Sequence, residues 1–128
     1  MTYKYIIDSS AWLEYYIASS KGMKIKEIIE HETIATSILA IAELADRFER
    51  EDKNFGEFLL FIQSRAMILT LTVEIALQAA KIKKNKRIKE SKFGLVDAIH
   101  LATTFKENAI LVTADNDFRK ENNVLMIE

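Results

Sequence analysis

The chain of 128 residues contains no cysteine and no proline, and it contains only three glycines. The lack of cysteine excludes both a disulfide framework and a metal site built from thiolates. The scarcity of glycine and proline leaves little room for long irregular linkers. No stretch approaches the roughly 18 uninterrupted apolar residues of a transmembrane helix, and the N-terminal segment MTYKYIIDSS has no apolar run of signal-peptide length. We therefore expect one domain over residues 1–128, in a soluble cytoplasmic protein that binds no membrane.

Short runs that favour β-strands alternate along the chain with segments of helical periodicity. The strands are predicted at residues 3–7, 33–35, 67–71, 110–112 and 124–127. Thr36 or Ser37 is predicted as the N-cap of one intervening helix. Another helix is predicted to begin at residue 72 or 73, with Ala76, Leu77 and Ala80 on its inner side. Five inner strands separated by helices indicate an α/β three-layer sandwich with a parallel sheet, because right-handed crossovers place helices on both faces.

Acidic side chains occur where the predicted strands end and inside apolar helices. Asp8 follows the first strand, and Asp115 and Asp117 follow the fourth. Asp97 lies in the first turn of one apolar helix, and Glu43 lies among the apolar residues of another. In open parallel sheets, ligands bind beyond the carboxyl ends of the strands. Carboxylates gathered there lose hydration and repel one another, and a divalent cation that prefers oxygen ligands, such as Mg²⁺, relieves both costs.

Such an ion activates water and stabilises the charge on a scissile phosphate, so the pattern favours hydrolysis of a phosphate ester. Ser10 and Thr113 lie at the same strand ends and suit hydrogen bonds that orient the ligating acids. Several of these acids also have an ordinary interpretation. Asp8 suits an N-cap, and Asp97 suits the positive end of a helix dipole. Glu43 suits the edge of a packed helix face.

Four segments resemble, in order, the signature segments of the PIN-domain ribonucleases. They are IIDSSAW near the start, IAEL in the middle, GLVDAIHLA in the last third and LVTADNDF near the end. The chain length is similar to that of VapC-type toxins of toxin–antitoxin pairs. The resemblance implies a five-stranded parallel sheet in the order 3-2-1-4-5, a site for Mg²⁺ or Mn²⁺, and an endoribonuclease that hydrolyses RNA phosphodiester bonds as the toxin of a type II pair. It also implies two protein partners, a cognate antitoxin and a second copy of the chain in a homodimer.

The resemblance also assigns roles by position. The acids that match the catalytic quartet are Asp8, Glu43, Asp97 and Asp115. The expected metal ligands are Asp8, Asp97, Asp115 and Asp117, with the choice between the last two left open. Ser10 and Thr113 match the hydroxyl positions of the family, while Asp46 and Glu49 are alternatives to Glu43 farther along the same helix. His100, one turn after Asp97, is interpreted as a packed or rim histidine because activation of water by the ion needs no histidine.

The basic residues are concentrated between residues 81 and 92, although the formal net charge of the whole chain is only −1. This run contains Lys81, Lys83, Lys84, Lys86, Arg87, Lys89 and Lys92, with Glu90 as its acid. A run of this kind is typical of a solvated helix end, where lysine also complements the helix dipole. It leads directly towards Asp97, however, so Lys84, Lys86 and Arg87 are equally good candidates for binding RNA phosphates.

Two functions of other classes stay open. One is a non-catalytic interaction module of the same fold, in which the acids are vestigial. The other is a phosphatase or phospho-acceptor domain that uses Asp8 as its nucleophile. That chemistry requires a second acid beside the first strand and a lysine after a late strand, and neither Ser9-Ser10 nor Thr113-Ala114 supplies them.

Overall fold

The computed structural model describes residues 2–88 and 92–128. The strands are β1 (Tyr5–Ile7), β2 (Ile34–Ser37), β3 (Ala66–Leu69), β4 (Ile110–Thr113) and β5 (Val124–Met126). The helices are α1 (Ser9–Tyr16), α2 (Ser20–Lys24), α3 (Lys26–His31), α4 (Ile38–Arg50), α5 (Gly56–Arg65), α6 (Val73–Lys86) and α7 (Leu95–Lys106), with a 3₁₀ turn at Asn116–Phe118. Within residues 2–88 and 92–128, no helix is both long enough and apolar enough to span a membrane.

The five strands form one sheet in the order β3-β2-β1-β4-β5, and every neighbouring pair is parallel. The predicted α/β fold class and strand order are therefore confirmed. Strand β1 lies at the centre, where Ile6 is opposite Ala35 of β2 and Leu111 of β4. The direction of winding reverses between β1 and β4, which makes the carboxyl edge of these two strands the place where ligands bind in such sheets.

The sheet is covered on both faces because successive residues of each central strand point to opposite sides. Ile6 and Leu111 belong to the core that includes α6 and α7. Ile7 and Val112 belong to the core that includes α1, α3, α4 and α5. These strands therefore consist of continuous apolar residues, as expected for parallel strands that are buried on both faces.

The inner face of α6 differs from the prediction. Ile75, Ala79 and Ile82 are buried against α7, whereas the predicted inner residues Ala76, Leu77 and Ala80 are exposed, Leu77 by 64%. The helix carries two apolar faces about a quarter turn or more apart. Residues 75, 79 and 82 are spaced as i, i+4 and i+7 and therefore lie on one face of the helix. This face presents two isoleucines to the core, and it is the face that is buried.

A glycine sets the position of α2 against α1. Two short helices, α2 and α3, follow α1 and meet at Ile25. Ser19 caps α2 by accepting a hydrogen bond from the N–H of Gly22 at 3.0 Å. A Cβ at Gly22 would lie 2.1 Å from the carbonyl oxygen of Glu14 in α1. Only glycine therefore permits this close approach of the two backbones.

One buried hydroxyl connects the elements that lead to the carboxyl edge. The indole N–H of Trp12 in α1 donates to Thr36 Oγ1 of β2 at 3.0 Å, and the same hydroxyl donates to the carbonyl of Ile7 in β1 at 2.6 Å. Ser37, the next residue, is the N-cap of α4 because its hydroxyl accepts from the N–H of Leu39 at 3.0 Å. The start of α1 and the start of α4 are thus fixed side by side.

Candidate active site

Asp8 leaves β1 at the carboxyl edge of the sheet and becomes the N-cap of α1. Its own N–H donates to the carbonyl of Val112 in β4 at 3.1 Å, so the strand pairing continues to this residue. The carboxylate accepts from the N–H of Ser10 at 2.8 Å. Although acidic, the residue is only 4% exposed. Burial of this carboxylate is compensated by hydrogen bonds, as buried polar groups require.

Hydroxyl groups complete the surroundings of Asp8. The hydroxyls of Ser9 and Ser10 each donate to it at 3.2 Å, and the hydroxyl of Thr113 also donates to it. Thr113 Oγ1 in turn accepts from the N–H of Asp115 at 3.0 Å. A continuous chain of hydrogen bonds therefore runs from the acid after β1 to the acid after β4.

Asp97 lies in the first turn of α7, where one oxygen of its side chain accepts from the N–H of Gly94 at 3.0 Å. This bond satisfies one of the N–H groups that every helix N-terminus leaves free. Burial raises the pKa of the Asp97 carboxyl above its ordinary value of 3.8, and the charges of Asp115 and Asp117 add to this effect. The negative charge of Asp97 is thus disfavoured at this position unless positive charge is brought near it.

Three acids converge within the part of the chain that the structure describes. One carboxylate oxygen from each of Asp97, Asp115 and Asp117 lies within 4.8 Å of the other two. Asp115 caps the 3₁₀ turn by accepting from the N–H of Asp117 at 2.9 Å, which holds these two acids side by side. The donor set consists of oxygen atoms and suits a hard divalent cation such as Mg²⁺ or Mn²⁺. A cation at this position would stabilise the charged form of Asp97 and lower its raised pKa. These three residues therefore fit a metal site.

Asp8 is not a member of this three-acid group as the described residues are arranged. It lies at the same edge and is connected to the group through the hydroxyl of Thr113. The structure thus brings the four acids predicted as metal ligands to one edge of the sheet, and it gathers three of them within reach of a single ion.

Glu43 contacts the same edge from α4. Its Oε1 lies 3.1 Å from the hydroxyl of Ser9, whose single proton is shared between Glu43 and Asp8, and 2.9 Å from Nε2 of His100. Its side chain remains 42% exposed. Asp46, one of the alternatives on this helix, pairs instead with Arg50 at 3.1 Å, and Glu49 is exposed. Glu43 is therefore the α4 acid that the structure connects to Asp8, through Ser9.

His100 is the residue whose contact the sequence did not reveal. It is only 3% exposed, and its Nδ1 is buried without a hydrogen-bond partner among the residues that the structure describes. Burial by itself lowers the pKa of His100, but the hydrogen bond with Glu43 and the surrounding carboxylate charges outweigh it, so the pKa is raised above its ordinary value of 6.5. The only sequence signal was its position one turn after Asp97, on the same side of α7.

The candidate RNA-binding residues at the end of α6 have different surroundings. Lys86 pairs with Glu121 at 2.5 Å, and Arg87 donates through Nε to the carbonyl of Phe93 at 2.9 Å. Lys84 is exposed. Two other members of the basic run, Lys89 and Glu90, lie outside the described residues.

Solved structures with this fold include toxin–antitoxin systems. A toxin–antitoxin complex from Klebsiella pneumoniae matches with a TM-score of 0.79 and 17% identity over 98% of each chain. VapBC2 from Rickettsia felis, solved with a DNA fragment from its promoter, matches with a TM-score of 0.74 and 19% identity over 95% of this chain and 96% of that one. VapC20 from Mycobacterium tuberculosis, described as a sarcin–ricin loop cleaving toxin, matches with a TM-score of 0.71 and 16% identity over 93% of this chain and 95% of that one.

A comparison with curated proteins finds no match. The family model described as the PIN domain, in contrast, matches residues 5–122, which include β1, β4 and every acid of the carboxyl edge. The chain belongs to the PIN domain family.

Proposed function

We propose that this chain is a metal-dependent endoribonuclease and the toxin component of a type II toxin–antitoxin pair. The observation that carries the proposal is the convergence of Asp97, Asp115 and Asp117 at the carboxyl edge of β1 and β4. The similarity to the sarcin–ricin loop cleaving toxin supports RNA as the substrate. The similarity to toxin–antitoxin complexes supports an antitoxin as a partner. A homodimer remains an expectation from the family resemblance.

The acids and one hydroxyl at the carboxyl edge have distinct roles in the proposed site. Asp97, Asp115 and Asp117 would hold Mg²⁺ or Mn²⁺, and Asp8 is proposed to complete the ligand set. A divalent ion at such a site supplies positive charge beside a phosphate and lowers the pKa of coordinated water. Thr113 holds both Asp8 and the backbone of Asp115, so its hydroxyl keeps the two strand ends in register.

Glu43 is the proposed proton acceptor for the attacking water. Its side chain is partly exposed, so it can meet water and substrate, while His100 and Ser9 both hold the same oxygen, Oε1. His100 is a positioning residue because it is buried and reaches the proposed reaction only through Glu43. Ser9 connects Glu43 to Asp8, so the proton acceptor and the proposed metal ligands belong to one hydrogen-bond network.

The two alternative functions differ in what they require of the acids. A phosphatase that uses Asp8 as its nucleophile would need a second acid beside β1 and a lysine after a late strand, and neither Ser9-Ser10 nor Thr113-Ala114 supplies them, which disfavours this function. A non-catalytic module of the same fold would need no ion. Calorimetric titration with Mn²⁺ separates this alternative, because the absence of binding would favour the module over the nuclease.

The deciding experiment incubates the purified chain with structured and unstructured RNAs, with Mg²⁺ or with EDTA. We expect cleavage with Mg²⁺, no cleavage with EDTA, and no cleavage by Asp97→Asn, which keeps the volume of the side chain and the hydrogen bond from Gly94 but loses the charge. Asp52→Asn is the matched control, because Asp52 is exposed and has a positive φ of 55° that asparagine tolerates. Full activity in EDTA or in Asp97→Asn would contradict the proposal.

A further inference from the structure

A groove of about 370 Å³ lies beside the acidic edge, between α1 and α4. Its polar lining consists of the hydroxyls of Ser9 and Ser10, the two acids Glu14 and Glu43, and the three cations Lys21, Arg47 and Arg50. The hydroxyls of Ser9 and Ser10 contact Asp8, and Glu43 contacts His100. The groove is therefore continuous with the proposed catalytic site.

Three cations enter this groove from two different helices. Arg47 and Arg50 follow Glu43 on α4 at the i+4 and i+7 positions, so they lie about 6 and 10 Å farther along the same helix face. Lys21 comes from α2, which Gly22 holds tightly against α1. Positive side chains thus continue outward from the acidic edge, where an RNA strand bound at that edge would continue.

The ordinary interpretation of the two arginines is that they form pairs within the exposed surface of α4. Arg47 does contact Glu51 at 3.0 Å, and Arg50 contacts Asp46 at 3.1 Å. Exposed pairs of this kind contribute little to stability, so a phosphate can displace the carboxylate. Pairing along α4 also does not explain why Lys21 of another helix lines the same groove. A guanidinium binds phosphate through two parallel hydrogen bonds, which makes the arginines suitable ligands.

We propose that the α1/α4 groove binds the phosphate backbone of the RNA strand next to the scissile bond, with Lys21, Arg47 and Arg50 as the phosphate ligands. This inference rests on the proposed ribonuclease function and adds the substrate path to it. The groove is an alternative to the end of α6, where Lys86 and Arg87 contact Glu121 and the carbonyl of Phe93 within the fold.

The test compares the triple variant Lys21→Gln/Arg47→Gln/Arg50→Gln with a control that removes the same charge elsewhere, Lys26→Gln/Lys106→Gln/Lys120→Gln. These control lysines are exposed and do not line the groove. Both sets are placed in the Asp97→Asn background, and binding of a short labelled single-stranded RNA is measured by anisotropy with Mg²⁺ over a series of salt concentrations. Circular dichroism melts verify that each variant is folded.

We expect the groove variant to bind RNA about tenfold or more weakly, and the slope of log affinity against log salt to fall by about 2, since each phosphate contact on a single strand contributes about 0.7. The control should retain the slope. Arg47→Lys/Arg50→Lys should also retain most of it, because the charges remain. In the catalytically intact chain, the groove variant should raise KM and leave kcat within about twofold, as expected for lost uniform binding.

Each other outcome overturns the inference. If the chain with its acids intact cleaves RNA and the groove variant binds as tightly as its control, the groove is not the RNA path, while the ribonuclease proposal stands. If Lys84→Gln weakens binding and the groove variant does not, RNA binds at the end of α6. If the groove cations are needed for binding a glutamate hexapeptide but not for RNA, the groove receives an acidic protein segment. If the intact chain neither binds nor cleaves RNA, both proposals fail.

Discussion

Glu43 and His100 are 57 residues apart in the chain, and their side chains meet at 2.9 Å on the carboxyl edge of the sheet. The histidine is almost completely buried, whereas the glutamate is 42% exposed. The pair therefore connects the buried side of α7 with the exposed side of α4. It holds a partly exposed carboxylate in a fixed orientation, which proton transfer requires.

Replacing His100 by leucine should lower kcat for RNA cleavage by about tenfold or more, because Glu43 loses the partner that orients it. His100→Gln places an amide nitrogen near the position of Nε2 and should restore most of kcat. Steady-state kinetics on one labelled RNA, with KM and kcat measured separately, test this expectation. Unchanged kcat in the leucine variant would show that the histidine serves packing alone.

The contribution of the His100–Glu43 pair to stability should depend on pH. Because the pKa of His100 is raised in the folded chain, the stabilisation is fully present below the ordinary pKa of 6.5 and is lost as the pH rises through the folded value. Urea unfolding in EDTA should therefore show a difference between the native chain and His100→Gln that is largest near pH 6 and shrinks towards pH 9. A difference that is constant with pH would contradict a titrating pair.

Asp97→Asn should stabilise the metal-free chain at neutral pH while it abolishes cleavage. The raised pKa of Asp97 means that the folded state favours its protonated form, so this contribution is present below the ordinary value of 3.8 and is lost as the pH rises through the folded value. Thermal melts in EDTA at pH 7 should give a higher Tm for the variant, and the gain should disappear near pH 3.

Addition of Mg²⁺ should stabilise the native chain more than it stabilises Asp97→Asn. The native chain should gain stability with increasing Mg²⁺ because the ion binds only the folded state, and Asp97→Asn should gain much less. Asp52→Asn should follow the native chain throughout. An equal gain in both chains would place the ion elsewhere.

Gly22→Ala should destabilise the chain by about 1–3 kcal/mol, the usual cost of overpacking. The new Cβ would lie 2.1 Å from a backbone carbonyl of α1, and backbone atoms cannot move aside as a flexible side chain can. Gly56→Ala is the control, since its nearest neighbour is the Asn54 side-chain oxygen at 3.0 Å, and its effect should stay within about 0.5 kcal/mol. Equal unfolding free energies of the two variants would contradict the close packing of α1 and α2.

Local patterns were sufficient for the sheet and for the residues at its edge. Asp8 and Asp115 each follow a short apolar strand. Parallel strands bring their carboxyl ends to the same edge of the sheet, however the helices are placed. The inner face of α6 was predicted wrongly because the helix has two apolar faces, and only the position of α7 decides which one is buried.

Contacts between helices could not be predicted from the sequence for a related reason. The bond between Glu43 and His100 depends on how α4 and α7 are placed around the sheet, and no spacing along the chain records that placement. The groove cations were missed because Lys21 and Arg47 are ordinary surface residues until α2 folds against α1. The basic run at the end of α6 was conspicuous in the sequence, yet Lys86 and Arg87 contact other parts of the fold.

The order in which the acids occur along the chain has a consequence for the cell that synthesises it. The three converging acids all lie between residues 97 and 117, after both Asp8 and Glu43. A ribosome must therefore translate as far as Asp117 before this three-acid group can form, and a stop codon anywhere before that residue removes at least one of its acids. On the proposed chemistry, nascent chains and truncated products leave the transcripts of their host intact.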